Sequence, residues 1–198
     1  MSQAPAEDRA WVRIPTPLAP EALIEFCRDV ERLLRINSML EFERLGPAGE
    51  GRYELAALNL STGQRIETAF RIEPQDRGLR LIYESGLKTA TEIAIEPGER
   101  GGARSFLVVT DDYAGTPEAE RQARAAEVDR SLPWWGRDLH RYLGHWARWS
   151  GWAPWRWYMR RVWQPMKPKA RRITFMLWVI AAFELAALVV VAAAYALD

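Results

Sequence analysis

Between Leu40 and Asp111 apolar and polar residues alternate with a period of two, the spacing of half-buried β-strands. The pattern runs through Leu40–Leu45, Arg52–Leu60, Gln64–Glu73, Gly78–Glu84, Lys88–Glu96 and Ala103–Asp111. Turn-forming clusters separate these segments: GPAGEG, STG, PQDRG, SG and PGERGG. Such connections are too short for helical crossovers, so the strands are expected to pair antiparallel as a meander. In Gln64–Glu73, Ile66, Thr68, Phe70 and Ile72 share one face against Arg65, Glu67 and Arg71. In Lys88–Glu96, Thr89, Thr91, Ile93 and Ile95 oppose Lys88, Glu92 and Glu96. The sheet therefore has a dry face and a wet face.

An earlier run, WVRIPTPL, sets Trp11 and Arg13 against Val12 and Ile14, a further strand that Pro15 and Pro17 should terminate. Pro20 then opens a helical pattern with Ala22, Leu23, Phe26, Val30, Leu33 and Leu34 at helical spacing, as one helix with a break or two short helices joined near Asp29. Residues 1–9 precede these elements as a loose, Ala/Pro/Glu-rich start. After the polar stretch TPEAERQARAAEVDRS, the segment Leu132–Trp149 collects Leu132, Trp135, Leu139, Tyr142, Leu143 and Trp146 on one helical side, with Arg137, Arg141 and Arg148 away from it. A long helix laid over the dry face of the sheet follows.

The pattern changes again at Ile173. From there to Leu197 the chain reads ITFMLWVIAAFELAALVVVAAAYAL, apolar except for Glu184. At about 1.5 Å per helical residue this stretch exceeds the roughly 30 Å hydrocarbon core of a bilayer, which predicts a membrane span. With Asp198 alone after it, it is not a cleaved N-terminal signal. Between Trp152 and Arg172 lie Arg156, Arg160, Arg161, Lys167, Lys169, Arg171 and Arg172, and no acidic residue. Flanking Lys and Arg stay on the cytoplasmic side, so residues 1–172 are expected to be cytoplasmic and Asp198 outside. The alanine-rich composition suggests a bacterial inner membrane.

Net charge hides this organisation. The chain carries +1 overall, but seven of its 27 basic and two of its 26 acidic residues fall after Gly151, leaving 20 basic against 24 acidic before it. An acidic domain, 10–151, is thus joined to a span, 173–197, through a basic collar, 152–172. The collar is also aromatic: Trp146, Trp149, Trp152, Trp155, Trp157, Tyr158 and Trp163 crowd together. Indoles favour the headgroup level, and each nearby Lys or Arg adds roughly 1 kcal/mol of attraction to anionic lipid. Residues 152–168 are read as a short helix on the cytoplasmic leaflet, with Trp155, Trp157 and Trp163 interfacial; for Trp146 and Trp149 a place in the domain core is the alternative. Anionic lipid, rather than nucleic acid, is the partner this collar fits.

Candidate chemistry is sparse. A single cysteine, Cys27, excludes an intrachain disulfide and reads as a small buried hydrophobe. His140 and His145 diverge around the helix and have no further ligand at metal spacing, so no metal site is expected. No G-x-S-x-G, G-x-G-x-x-G or Walker A pattern occurs, and no cofactor is expected. The pair Asp111–Asp112 could supply a general base, although a strand-ending acidic pair more often makes a turn or cap.

Strand, two short helices, antiparallel strands and a long closing helix, in that order, resemble the START-like, helix-grip superfamily. That group includes Bet v 1-type, polyketide cyclase/dehydrase-like and coenzyme-Q-binding START proteins. The resembling residues are WVRIPTPLAPEALIEFCRDVERLLRIN and SFLVVTDDY, and the likeness covers residues 10–150. It implies an α+β fold in which a curved antiparallel sheet of about six to seven strands wraps a long C-terminal helix. It also implies a cavity for a hydrophobic molecule such as a lipid, sterol, quinone or polyketide. On the dry face and its lid, the candidate lining is Ile66, Thr68, Phe70, Tyr83, Thr89, Thr91, Ile93, Leu139 and Tyr142.

The reading that follows is a membrane-anchored module that holds or presents a hydrophobic ligand. A cyclase- or dehydratase-like enzyme using Tyr83, Asp111 or Asp112 is an alternative. So is an accessory subunit that docks through its span. An acid near the centre of a span costs a few kcal/mol, so Glu184 needs a proton, a hydrogen bond or a partner. With Ala181, Ala182, Ala186 and Ala187 beside it, Glu184 is expected to mark a helix–helix contact, in a homo-oligomer or with another membrane protein.

Overall fold

The structure is a computed structural model that describes residues 9–98, 103–117, 119 and 131–197, with side chains to Ala194. The loose start expected for residues 1–8 lies outside the described residues, and Arg9 already belongs to a strand. Seven strands form one antiparallel sheet: β1 (Arg9–Thr16), β2 (Leu40–Pro47), β3 (Arg52–Asn59), β4 (Gln64–Gln75), β5 (Gly78–Tyr83), β6 (Ala90–Pro97) and β7 (Ser105–Asp112). Their spatial order is β1-β7-β6-β5-β4-β3-β2, a meander whose last strand takes the first as its neighbour. The two edge strands, β1 and β2, are joined by α1 (Pro20–Cys27) and α2 (Val30–Arg35). The cup is closed by α3 (Leu132–Trp149). This is a helix-grip arrangement.

Local chemistry accounts for the punctuation. The helical pattern resolves as two helices because Asp29 caps the second, its Oδ1 accepting from the Arg32 N–H at 3.1 Å. Pro15 does not end β1 as the sequence suggests; it pairs opposite Phe106 and the strand runs on to Thr16. An edge strand tolerates this, and the Pro15 carbonyl turns to His140 Nδ1 at 2.9 Å rather than to β7. His140 is therefore engaged with β1, while His145 is exposed. In β2 the register slips between Phe42 and Arg44, a bulge that helps curve the sheet. Gly136 lets α3 lie close to β1, since a Cβ there would collide with the Val12 side chain.

The core fills the cup from both sides. Leu139 and Leu143 of α3 meet Phe70, Leu81, Ile93, Leu107 and Val109 of the sheet, all fully buried. Each such side chain contributes about 1.5–3 kcal/mol. Cys27 lies in this core, and burial pushes its thiol up to about 12. The opposite face of the sheet is wet, laced by pairs such as Arg13–Glu96 and Arg65–Glu43.

Beyond α3 the chain turns through α4 (Ala153–Tyr158) and a π-helical turn, Met159–Trp163, into α5 (Pro168–Leu197). Among the described residues, α5 is the one helix long and apolar enough to cross a membrane, over Pro168–Ala194. Its apolar side chains from Phe175 to Val191 are exposed.

Candidate functional site

A cavity of about 350 Å³ lies between the sheet and the first turns of α3. It arises from a mismatch in strand length. β4 has 12 residues and β5 has six, so their ladder ends at Phe70 opposite Tyr83. One further bond, Glu84 N–H to the Ala69 carbonyl at 2.8 Å, precedes the point where the chain leaves β4. The loop Ser85–Thr89 then returns it to β6, with Gly86 at φ +108° making the turn. Gln64–Thr68 pairs with β3 alone and borders an opening. Across it, Thr68 Oγ1 donates to the Ser85 carbonyl at 3.0 Å and Ser85 Oγ to Thr68 Oγ1 at 3.1 Å.

The lining divides by polarity. Leu34, Leu40, Leu55, Ile66, Leu87 and Trp135 supply apolar wall, while Asn37, Thr68, Tyr83, Ser85, Lys88 and Tyr113 supply polar atoms, and Gln64, Arg65 and Glu67 of β4 also line it. Behind the polar wall runs a buried chain of contacts. Thr91 Oγ1 donates to Asp111 Oδ1 at 2.6 Å, and the Tyr83 hydroxyl lies 3.2 Å from Thr91 Oγ1. Lys88 Nζ stands 3.2 Å from Asp111 Oδ1 and over the Tyr83 ring. Asp111 is almost wholly buried, so its charge needs these partners. Asp112, on the opposite face, accepts from the Ala114 N–H at 2.9 Å and lies near Arg9 and Arg80. The two aspartates thus separate: one is a turn residue and the other belongs to the cup.

Of the residues the sequence nominates, Ile66, Thr68 and Tyr83 line the cavity. Phe70, Ile93 and Leu139 do not, because they are packed into the filled part of the cup. Thr91 lies behind Tyr83, and Thr89 Oγ1 is turned to the Asp112 carbonyl at 2.9 Å. Tyr142 sits at the other end of α3, against Phe26 and Trp163, where burial pushes its phenol up. Lys88 was assigned to the wet face by alternation, but β6 begins only at Ala90 and the lysine reaches inward. Leu34, Leu40 and Trp135 were legible only as helix and strand core, and Leu87 and Tyr113 lie in connections without period. Asp111 carried a signal, since it continues the parity of Leu107 and Val109 into the interior. Among the described residues no cluster of acids, histidines and cysteines could hold a metal ion.

The collar packs back onto the domain. Trp155 packs on Trp146, and Trp163 on Tyr142, so both indoles join the domain core. Arg32 is sandwiched between Phe26 and Trp146, 4.1 and 4.6 Å from their ring centres, and burial holds its guanidinium below the usual range. Arg171 stacks on Trp163 and donates to the carbonyls of Arg35, Trp163 and Gln164 at 2.8, 3.0 and 2.8 Å. Lys167 pairs with Glu41 at 2.7 Å, and Arg156 bonds the Ser150 carbonyl. Trp157, Arg160, Arg161, Lys169 and Arg172 remain exposed. The physical reason is the aromatic run itself, whose indoles find apolar partners on α1 and α3.

No protein-family model matches the chain, and no curated protein matches it. Solved structures similar to it include a START superfamily protein from Mycobacterium smegmatis, 15% identical, covering 68% of this chain and 94% of that one with a TM-score of 0.46. Ara h 8.0201 is 13% identical over 68% of this chain and 96% of its own, with a TM-score of 0.41. The di-domain ARO/CYC BexL from the BE-7585A biosynthetic pathway is 15% identical over 66% of this chain and 46% of that one, with a TM-score of 0.47. The likeness is one of fold.

Proposed function

We propose that the chain is a membrane-anchored binding protein whose cup holds one small hydrophobic molecule with a polar head, at the cytoplasmic face of a bilayer. The observation that carries this reading is the joining of an amphipathic cavity to an apolar helix. Leu34, Asn37 and Leu40 line the cavity, while Arg35 and Glu41, interleaved with them, receive Arg171 and Lys167 at the start of α5. One wall of the cavity is therefore backed by the segment that leads into α5. Confinement there raises the effective concentration of a bilayer-resident molecule, so a weak site suffices.

Size narrows the occupant. At about 350 Å³ the cavity stands at the small end of ligand pockets, which run roughly 300–1,000 Å³. That suits a single ring system or one short chain. Mass spectrometry of the full chain, extracted in mild detergent and kept native, should find one such molecule bound per chain. Protein free of any small molecule, and still free after incubation with membrane extract, would refute the reading. A second reading, a cyclase- or dehydratase-type enzyme, draws support from the contact chain that links Tyr83 to Asp111. Tyr83→Phe would then abolish turnover of the extracted molecule without reducing its retention.

A further inference from the structure

We infer that the part of the collar left uncovered by the domain is a docking face for anionic phospholipid, built from Trp157, Arg160, Arg161, Lys169 and Arg172. This rests on the membrane-anchored reading above and names the lipid that borders the anchor. The argument starts from a division within one short helical stretch. Trp155, Met159 and Trp163, spaced every fourth residue, belong to the domain side: Met159 is buried and both indoles pack against the core. Trp157, Arg160 and Arg161, three and four residues apart, make up the other side, and all are exposed, the Trp157 residue at 63%. In the first turn of α5, Lys169 and Arg172 are again three apart and exposed.

Charge says what this face meets. Arg156 and Arg171 spend donors on carbonyls of the chain, and Lys167 is paired with Glu41. Arg160, Arg161, Lys169 and Arg172 have no hydrogen-bond or ion-pair partner among the described residues. No local acid neutralises them, because none stands between Asp138 and Glu184. On α2 and β2, against which the collar packs, the acids are taken: Asp29 by Arg32, Glu31 by Arg35, Glu41 by Lys167 and Glu43 by Arg65. Asp138 accepts from the Ser38 N–H. Arg172 is the last charge before the apolar run that begins at Ile173, so Lys169 and Arg172 stand at the foot of the span. Headgroups of net negative charge complement these cations there, and an indole beside arginines suits the same level. α5 holds the chain in the bilayer whatever the headgroup, and this face decides which lipid borders it.

The test places the full chain in phosphatidylcholine vesicles with a trace of phosphatidylglycerol or phosphatidylcholine, spin-labelled near the end of an acyl chain. Electron paramagnetic resonance separates lipid held at the protein from lipid in the bulk. At low salt the unaltered chain should hold phosphatidylglycerol about fivefold more strongly than phosphatidylcholine, and ~0.5 M salt should bring the ratio close to unity. Arg160→Gln, Arg161→Gln, Lys169→Gln and Arg172→Gln together should remove the preference. Lys167→Gln with Glu41→Gln deletes a cation of the same collar, but as a neutral pair, and should keep it. Equal hold on the two lipids by the unaltered chain at low salt overturns the inference and leaves the face to a protein partner. So does a preference that survives the four replacements or disappears with the pair. Should the four-site variant fail to fold, the salt series on the unaltered chain decides, a flat profile overturning the inference. A chain that holds no lipid of either kind, or that carbonate strips from the vesicles, refutes the anchored reading itself, a distinct outcome.

Discussion

The two long helices, α3 and α5, put the same physics to opposite use. Arg137, His140, Arg141 and Arg148 all lie exposed on α3, yet the side bearing Leu139 and Leu143 is completely buried. α5 is far more apolar, yet its middle is exposed around the whole circumference. Arrangement, rather than amount, decides which helix a protein core accepts. A stripe can be buried on one sheet, whereas an all-round apolar surface asks for an apolar solvent.

Removing α5 separates the two roles most drastically. A chain ending at Arg172 retains the Arg171 clamp, so it should fold and bind ligand while moving from the membrane pellet to the soluble fraction. Continued sedimentation with membranes in alkaline carbonate would mean that the collar, rather than α5, holds the protein there. The next effect is on stability. Leu139→Ala opens a cavity in the packed end of the cup and should cost about 2–5 kcal/mol, read as a lower midpoint in denaturant. Leu185→Ala, on α5 and 62% exposed, should leave that midpoint unchanged. Equal losses at both positions would erase the contrast.

Where α5 joins the domain, the expected effect is smaller. Arg171→Ala removes three bonds to carbonyls and the stack on Trp163, a loss of about 1.5–3 kcal/mol for a charged donor. Hydrogen exchange should rise in Met159–Trp163 and at the end of α2, while the β6 and β7 amides keep their protection. Uniform loosening of the sheet would place the clamp inside the cooperative core instead.

The strands, the break at Asp29, the lid face of α3 and the apolar run of α5 were legible in the sequence because each writes its own period. The cavity was not legible, because it depends on where one ladder stops. Nothing in Gln64–Gln75 and Gly78–Tyr83 says that β5 leaves its partner after Tyr83. Phe70 and Ile66 share a face and a period, yet one is sealed in the core and the other faces empty space. The same limit hid how the collar packs on the domain. Trp155 and Trp163 have the composition of an interfacial belt, and long-range packing on Trp146 and Tyr142 claims them. Lys88 shows the converse, a residue read on the wet face because alternation was extended past the strand that produces it.

The least effect is expected from a single group on α5, and it tests whether that helix faces lipid throughout. Glu184 lies midway along an otherwise apolar surface, with alanines at 181 and 187 one turn to either side. A carboxyl placed there gains by meeting another polar group, and small neighbours let two helix backbones approach closely enough for that meeting. A second copy of α5 satisfies both needs at once, since each carboxyl can donate to and accept from its mate. Such contacts are worth about 1–2 kcal/mol in membrane peptides, so Glu184→Leu should reduce crosslinking between copies by about tenfold, and Glu184→Gln should restore most of it. Unchanged crosslinking in the leucine variant would leave α5 as a lipid-facing anchor along its full length, and the contrast with α3 would then be complete.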